Sequence, residues 1–193
     1  MKKINLKNNK GFTLVETLVA VSILSISIVS SLVASGASID NSKNSQYQIT
    51  AYNFAQEAME FIKNKRDENA LDSISGGTKT WLSGMAEVAG DPCYFGKVCQ
   101  IDASPSASAA PFTFCGNAPV NSSAPGLCQP LRQDPVTKLY GYNPAWTQTS
   151  WNREIQFVQT PSNPNEISVI VTVSWKYKNL PYVFQISENL YNK

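Results

Sequence analysis

The 193-residue chain contains no histidine. That absence removes the commonest general base, the Ser-His-Asp class of hydrolytic site and most zinc-enzyme ligand sets. Proline is missing from residues 1–91, so no pyrrolidine ring interrupts a helix in the first half of the chain. Cysteine does not occur before Cys93. Charge is scarce between Phe12 and Ala34, where Glu16 is the only ionisable side chain in 23 residues. Basic residues exceed acidic ones by only 16 to 14, and the excess lies in a leader holding Lys2, Lys3, Lys7 and Lys10. Removing a leader that ends at Gly11 would change the formal charge from +2 to −2, leaving no basic face for nucleic acid.

What is present between Phe12 and Ala34 is apolar or weakly polar, and long enough to cross a bilayer as a helix. The preceding lysines favour an N-terminus on the cytoplasmic side. A lone carboxylate near the start of such a helix is costly in lipid and calls for a partner. A secretory signal peptide would have a shorter apolar core and a small-residue cleavage site on its far side. Ala34-Ser35-Gly36-Ala37 is the only candidate for that site, and it is poor. Gly11 instead precedes the apolar run, where its flexibility could present an extended bond to a protease at the cytoplasmic face. Ser22, Ser25, Ser27, Ser30 and Ser31 are read as helix-packing residues whose hydroxyls bond carbonyls of their own helix.

Residues 10–24, KGFTLVETLVAVSIL, resemble the N-terminal segment of type IV pilins and pseudopilins. The resemblance implies cleavage after Gly11 by a prepilin peptidase and methylation of the new N-terminal residue, Phe12. Glu16 falls on the family's acidic position. There it would meet the Phe12 ammonium of a neighbouring subunit, a pairing that would set axial register, because both charges are expensive if left alone in a low dielectric. The alternative for Glu16 is an interaction contained within its own chain. The implied partners are the prepilin peptidase, other pilin or pseudopilin subunits and an inner-membrane assembly platform, with no cofactor and no catalytic role. The implied location is a single-pass membrane precursor with an extracytoplasmic head, later part of a pilus or pseudopilus. The implied fold is α+β, a long N-terminal helix packed on a C-terminal antiparallel sheet.

Past Ala34 the chain turns polar, yet Tyr47, Ala51, Phe54, Ala58 and Phe61 recur at helical steps, widened by Ala55, Met59 and Ile62. A helix from about Phe12 to about Lys65 would be roughly 80 Å long. Gly36 and the Ser/Asn-rich residues 38–45 are expected to bend or loosen it. Arg66-Asp67-Glu68-Asn69 is read as the beginning of a looser region, similar to the modification-protein branch of minor pilins. Asp67, Glu68 and Asp72 suit a solvated helix exit better than a metal or nuclease site.

Residues 67–152 read as a loop-rich region containing Cys93, Cys99, Cys115 and Cys128. Outside the cytoplasm these cysteines favour disulfides, with three full pairings open, and they lack the close C-x2-C pairs of zinc sites. The dispersed aromatics are read as packing under loops in preference to a carbohydrate- or surface-binding site. Residues 102–111 are expected to form an exposed loop, and Asn121-Ser122-Ser123 carries little weight as a glycosylation pattern. Three strands follow, at residues 153–160, 166–177 and 182–187. They form an antiparallel meander whose apolar face the helix stripe would cover.

The domain reading is therefore a leader at 1–11, a membrane or filament-core helix at 12–34, an amphipathic continuation at 35–66, a variable region at 67–152 and a meander at 153–193. The functional expectation is a minor pilin-like subunit contributing to assembly, adhesion or surface interaction. Its rivals are a type II secretion minor pseudopilin, a major pilin and a membrane-anchored ligand-binding module. An enzyme reading is poor, because Asp91 and Asp134 stand alone beside prolines in turns.

Overall fold

Thr13 opens the one α-helix among the described residues, α1 (Leu14–Ile74). The computed structural model describes residues 11, 13–104, 111–117 and 126–192. The leader lysines, Phe12, most of the loop expected at 102–111 and Asn121-Ser122-Ser123 lie outside them. The chain divides into two units, Met1–Gln46 and Tyr47–Lys193, and α1 contributes to both. It is helical through Gly36 and residues 38–45, where loosening was expected.

The helix also runs nine residues past the expected end at Lys65. What stops it is Ser75-Gly76-Gly77. Gly76 takes a left-handed φ of 86°, its N–H donates to Ser73 O at 3.1 Å, and the Gly77 N–H donates to Asp72 O at 2.8 Å. That pair of bonds closes a Schellman cap, and glycine adopts the required conformation without a Cβ clash.

In the second unit, Ala51, Ala55, Ala58 and Ile62 are fully buried on one face of α1, flanked by Phe54 and Met59. The alanines permit close approach to a sheet, and each larger side chain contributes about 1.5–3 kcal/mol on leaving water. The opposing surface is a curled antiparallel sheet of seven strands among the described residues: β1 (Lys97–Ile101), β2 (Phe112–Asn117), β3 (Pro130–Gln133), β4 (Tyr140–Gly141), β5 (Thr147–Gln159), β6 (Glu166–Tyr177) and β7 (Leu180–Tyr191). β5 is the spine. One edge pairs with β6 from Asn152 to Gln159, while the other takes β3 near its start and β1 near its end. β2 extends β1, β4 extends β3 and β7 extends β6.

The fold is thus α+β, a long N-terminal apolar helix whose second part packs on an antiparallel sheet. β5, β6 and β7 are the expected meander, although β5 starts at Thr147 and β7 spans Leu180–Tyr191. The β6–β7 turn is made by Lys178 and Asn179, with φ values of 50° and 64°. Two left-handed residues in succession make a tight hairpin that matches strand twist, so β7 begins immediately after it. Ile155, Phe157, Ile167, Val169, Val171, Val173 and Trp175 form the sheet side of the core. The dispersed aromatics are largely used in packing: Trp151 lies against Tyr47, Phe54 and Trp175, and Phe61 meets Phe112 edge-on.

Candidate functional site

The N-terminal unit presents its chemistry at the first turn of α1. Gly11 is exposed, and nothing crowds the space a Cβ would take there. Thr13 precedes the helix and its Oγ1 accepts the N–H of Glu16 at 3.3 Å, while its carbonyl accepts the Thr17 N–H at 3.2 Å. Thr13-Leu14-Val15-Glu16 is therefore a helix start with threonine as cap and glutamate at the third helical position. An exposed carboxylate in that turn is favoured by the helix dipole. Gly11 and Glu16 flank the same helix start; Phe12 is outside the described residues.

From Leu14 onward the large apolar side chains are exposed all around the helix, from Leu14 at 79% to Val33 at 68%. The most apolar 18-residue window has a mean hydropathy of 2.3 and none of it is buried. The hydroxyls do not spoil this surface. Ser22, Ser25, Ser27, Ser30 and Ser31 each donate to a carbonyl three or four residues back, at 2.8–3.0 Å. With its polar groups bonded internally, such a helix tolerates hydrocarbon. This helix is consistent with a membrane-anchored precursor.

The head is held by polar anchors that the sequence reading did not single out. Arg153, on β5, is 1% exposed. Its Nη1 donates to Phe54 O at 3.1 Å and pairs with Glu57, and its Nη2 donates to Ile101 O at 2.8 Å. One guanidinium thus ties α1, β1 and β5 together, and its planar fork suits three acceptors in different directions. Beside it, burial pushes the Tyr142 phenol pKa up, with the Arg153 charge pulling it the other way. Strand parity points to Arg153, since the buried Ile155 and Phe157 lie two and four residues further along β5.

Glu154 faces the other side of β5. One of its carboxylate oxygens accepts three successive backbone N–H groups, from Gly126 at 2.8 Å, Leu127 at 2.7 Å and Cys128 at 3.1 Å. Gly126 has φ 110°, a conformation that favours glycine. Cys128 is bonded to Cys115, and Cys93 to Cys99, so all four cysteines are paired.

The Arg66–Asn69 motif is not a loose exit. Arg66 and Asn69 are buried within α1, whereas Asp67 and Glu68 are exposed. Asn69 Nδ2 donates to Ser83 O at 2.9 Å and Trp81 O at 3.4 Å, pinning the segment that follows the helix. Arg66 turns back onto Asp67 at 2.7 Å. Asp134 caps its own turn, accepting from Val136 N–H and Thr137 Oγ1, and the Thr137 hydroxyl chiefly lowers its pKa. Among the described residues no three His, Cys, Asp or Glu side chains converge to hold a metal ion.

Compared with known families, residues 6–34 match the prokaryotic N-terminal methylation motif. No match to the chain was found among curated proteins or solved structures. The matched segment contains the glycine, the capping threonine, Glu16 and the exposed apolar helix. The chain therefore combines a prokaryotic methylation motif with a pilin-like helix-and-sheet fold, consistent with the type IV pilin and pseudopilin superfamily broadly. It is a pilin-like structural subunit in that broad sense.

Proposed function

We propose that this chain is a minor type IV pilin of the modification-protein kind. A prepilin peptidase cuts after Gly11 and methylates Phe12. The inner-membrane assembly platform then transfers the helix from bilayer to filament, where other pilin subunits bury it. The head acts by binding and positioning, without catalysis. One observation carries this reading: a methylation motif at residues 6–34 leads into a helix whose apolar side chains are exposed on every side. So much bare apolar surface requires lipid or neighbouring helices around it. The carboxylate of Glu16 then serves as the one charge a neighbour's new ammonium can neutralise in that setting. The minor assignment is supported by the resemblance of Arg66-Asp67-Glu68-Asn69 to the modification-protein branch of minor pilins.

Intact-mass measurement of the protein from its native membrane tests the processing. The expected mass lacks residues 1–11, gains about 14 Da for one methyl group and loses about 4 Da for two disulfides. A protein that keeps Met1 when purified from filament-bearing cells overturns the proposal.

A further inference from the structure

The sheet face turned away from the core is polar, and its two ends differ. Toward the β6 start, its side chains bond one another: Asn189 Nδ2 donates to Glu166 Oε1 at 2.8 Å, and Gln185 Nε2 to Thr172 Oγ1 at 3.4 Å. Toward the β6–β7 turn, the side chains of Gln148, Ser150, Ser174 and Lys176 make no hydrogen bond or ion pair with any described residue. These four, with Asn152, line a groove of about 450 Å³. Register places them deliberately close: Asn152 is opposite Ser174, and Ser174 is opposite Val183 on the next strand. A volume of this size falls within the roughly 300–1,000 Å³ of small-ligand clefts.

The groove is built rather than incidental. Cys128 and Pro130 form one wall, Pro181 and Val183 the other. The Cys128 wall is fixed by its disulfide to Cys115, by the three N–H bonds to Glu154, and by Asn152 Nδ2 donating to Cys128 O at 3.3 Å. The floor therefore keeps its shape through Asn152, while the side chains of Gln148, Ser150, Ser174 and Lys176 stay unspent among the described residues.

We infer that this groove binds an oligosaccharide bearing an acidic sugar. Amide and hydroxyl side chains each donate and accept, as sugar hydroxyls do, so a neutral set of this kind matches a polyol better than a single ion. Proline and valine walls supply apolar contact for the C–H faces of the rings. Lys176 is the one charged residue of the lining and selects a carboxylate on the ligand. A nucleic acid would call for several cations along its phosphates, and a peptide for a pocket that seats an apolar anchor. The inference gives a ligand class to the surface-interaction role proposed above. It uses no residue of the N-terminal unit, so it fails or stands apart from the processing test.

Detergent-solubilised full-length protein, titrated with hyaluronan hexasaccharide, chitohexaose and polyglutamate, tests it. Hyaluronan hexasaccharide should bind, chitohexaose should bind more weakly, and polyglutamate should not bind. Ser150→Arg and Lys176→Glu, both at exposed positions, should each weaken hyaluronan binding at least about tenfold, a change of about 1.4 kcal/mol. Ser187→Arg, exposed on the same sheet face outside the groove, should leave it unchanged. Equal binding of polyglutamate would reduce the effect to charge and overturn the inference. So would binding of neither saccharide, or binding indifferent to the groove substitutions.

Discussion

The two parts of α1 have the same backbone and opposite surfaces. Near the N-terminus, leucine, isoleucine and valine project on every side and stay exposed, with serines bonded back into their own helix. From Ala51 to Ile62 the apolar residues instead keep to one stripe, and alanine dominates it because a sheet lies close against that face. A stripe states that the covering partner is on one side and within the same chain. An all-round apolar surface states that the partner surrounds the helix and is supplied from outside. On the function proposed above, the difference separates assembly chemistry from folding chemistry along a single element, and each can be broken without the other.

Glu16→Leu should produce the largest effect, and only on the first part. Replacing the carboxylate removes the only charge in the apolar run and makes insertion into lipid easier, so membrane levels should match wild type. Incorporation into sheared filaments, followed by immunoblot, should fall below about a tenth, because a neighbour's ammonium would be left unpaired in a low dielectric. The head's thermal unfolding should not move. Wild-type incorporation of the leucine variant would remove Glu16 from assembly and leave it a helix-start residue beside Thr13.

Arg153→Met is the matching break in the second part. It deletes the donor to Phe54 O and Ile101 O and leaves Glu57 without its cation. Hydrogen bonds from a charged donor are each worth about 1.5–3 kcal/mol, but Glu57 is partly exposed and water would recover some of the loss. A destabilisation of about 3 kcal/mol is expected from urea unfolding of the full chain in detergent. Membrane insertion should be untouched. A variant as stable as wild type would mean that methionine packing replaces the clamp.

Much of this contrast was legible in the residues, and its failures have physical causes. The 23-residue apolar run and its lone carboxylate, Glu16, announced themselves because charge is excluded from hydrocarbon. β6 was read with its observed limits, since a strand buried on one face must alternate. The helix end was misplaced because Arg66 and Asp67 look like a solvated exit, while the stop signal, Ser75-Gly76-Gly77, lay nine residues on. Tertiary contacts to Trp81 and Ser83 make buried Asn69 useful inside a helix, and no local pattern encodes them. Cysteine spacing left three pairings open because it does not say which strands bring loops together; β1 and β2 do that here. Arg153 and Glu154 sat side by side on an alternating strand, where parity predicts opposite faces but not the acceptors waiting on each.

The smallest effect sharpens the edge of the second part, where α1 meets β7. Lys63 Nζ lies 2.9 Å from Glu188 and 3.7 Å from Glu60, and its pKa is raised above 10.5, chiefly by the hydrogen bond to Glu188. A raised lysine pKa stabilises the fold fully below the unfolded value of 10.5 and loses that contribution as pH climbs through the higher folded value. The groups are partly solvated, so Lys63→Met should cost at most about 1 kcal/mol at pH 7. The deficit should shrink in 1 M salt, where the screening length falls to about 3 Å, and again as pH rises past the lysine range. The comparison with wild type at each pH cancels the shared ionisation of tyrosines. A deficit that survives both salt and alkali would locate the lost stability in packing of the lysine stem against β7, and the joint would then belong to the apolar stripe rather than to its charged rim.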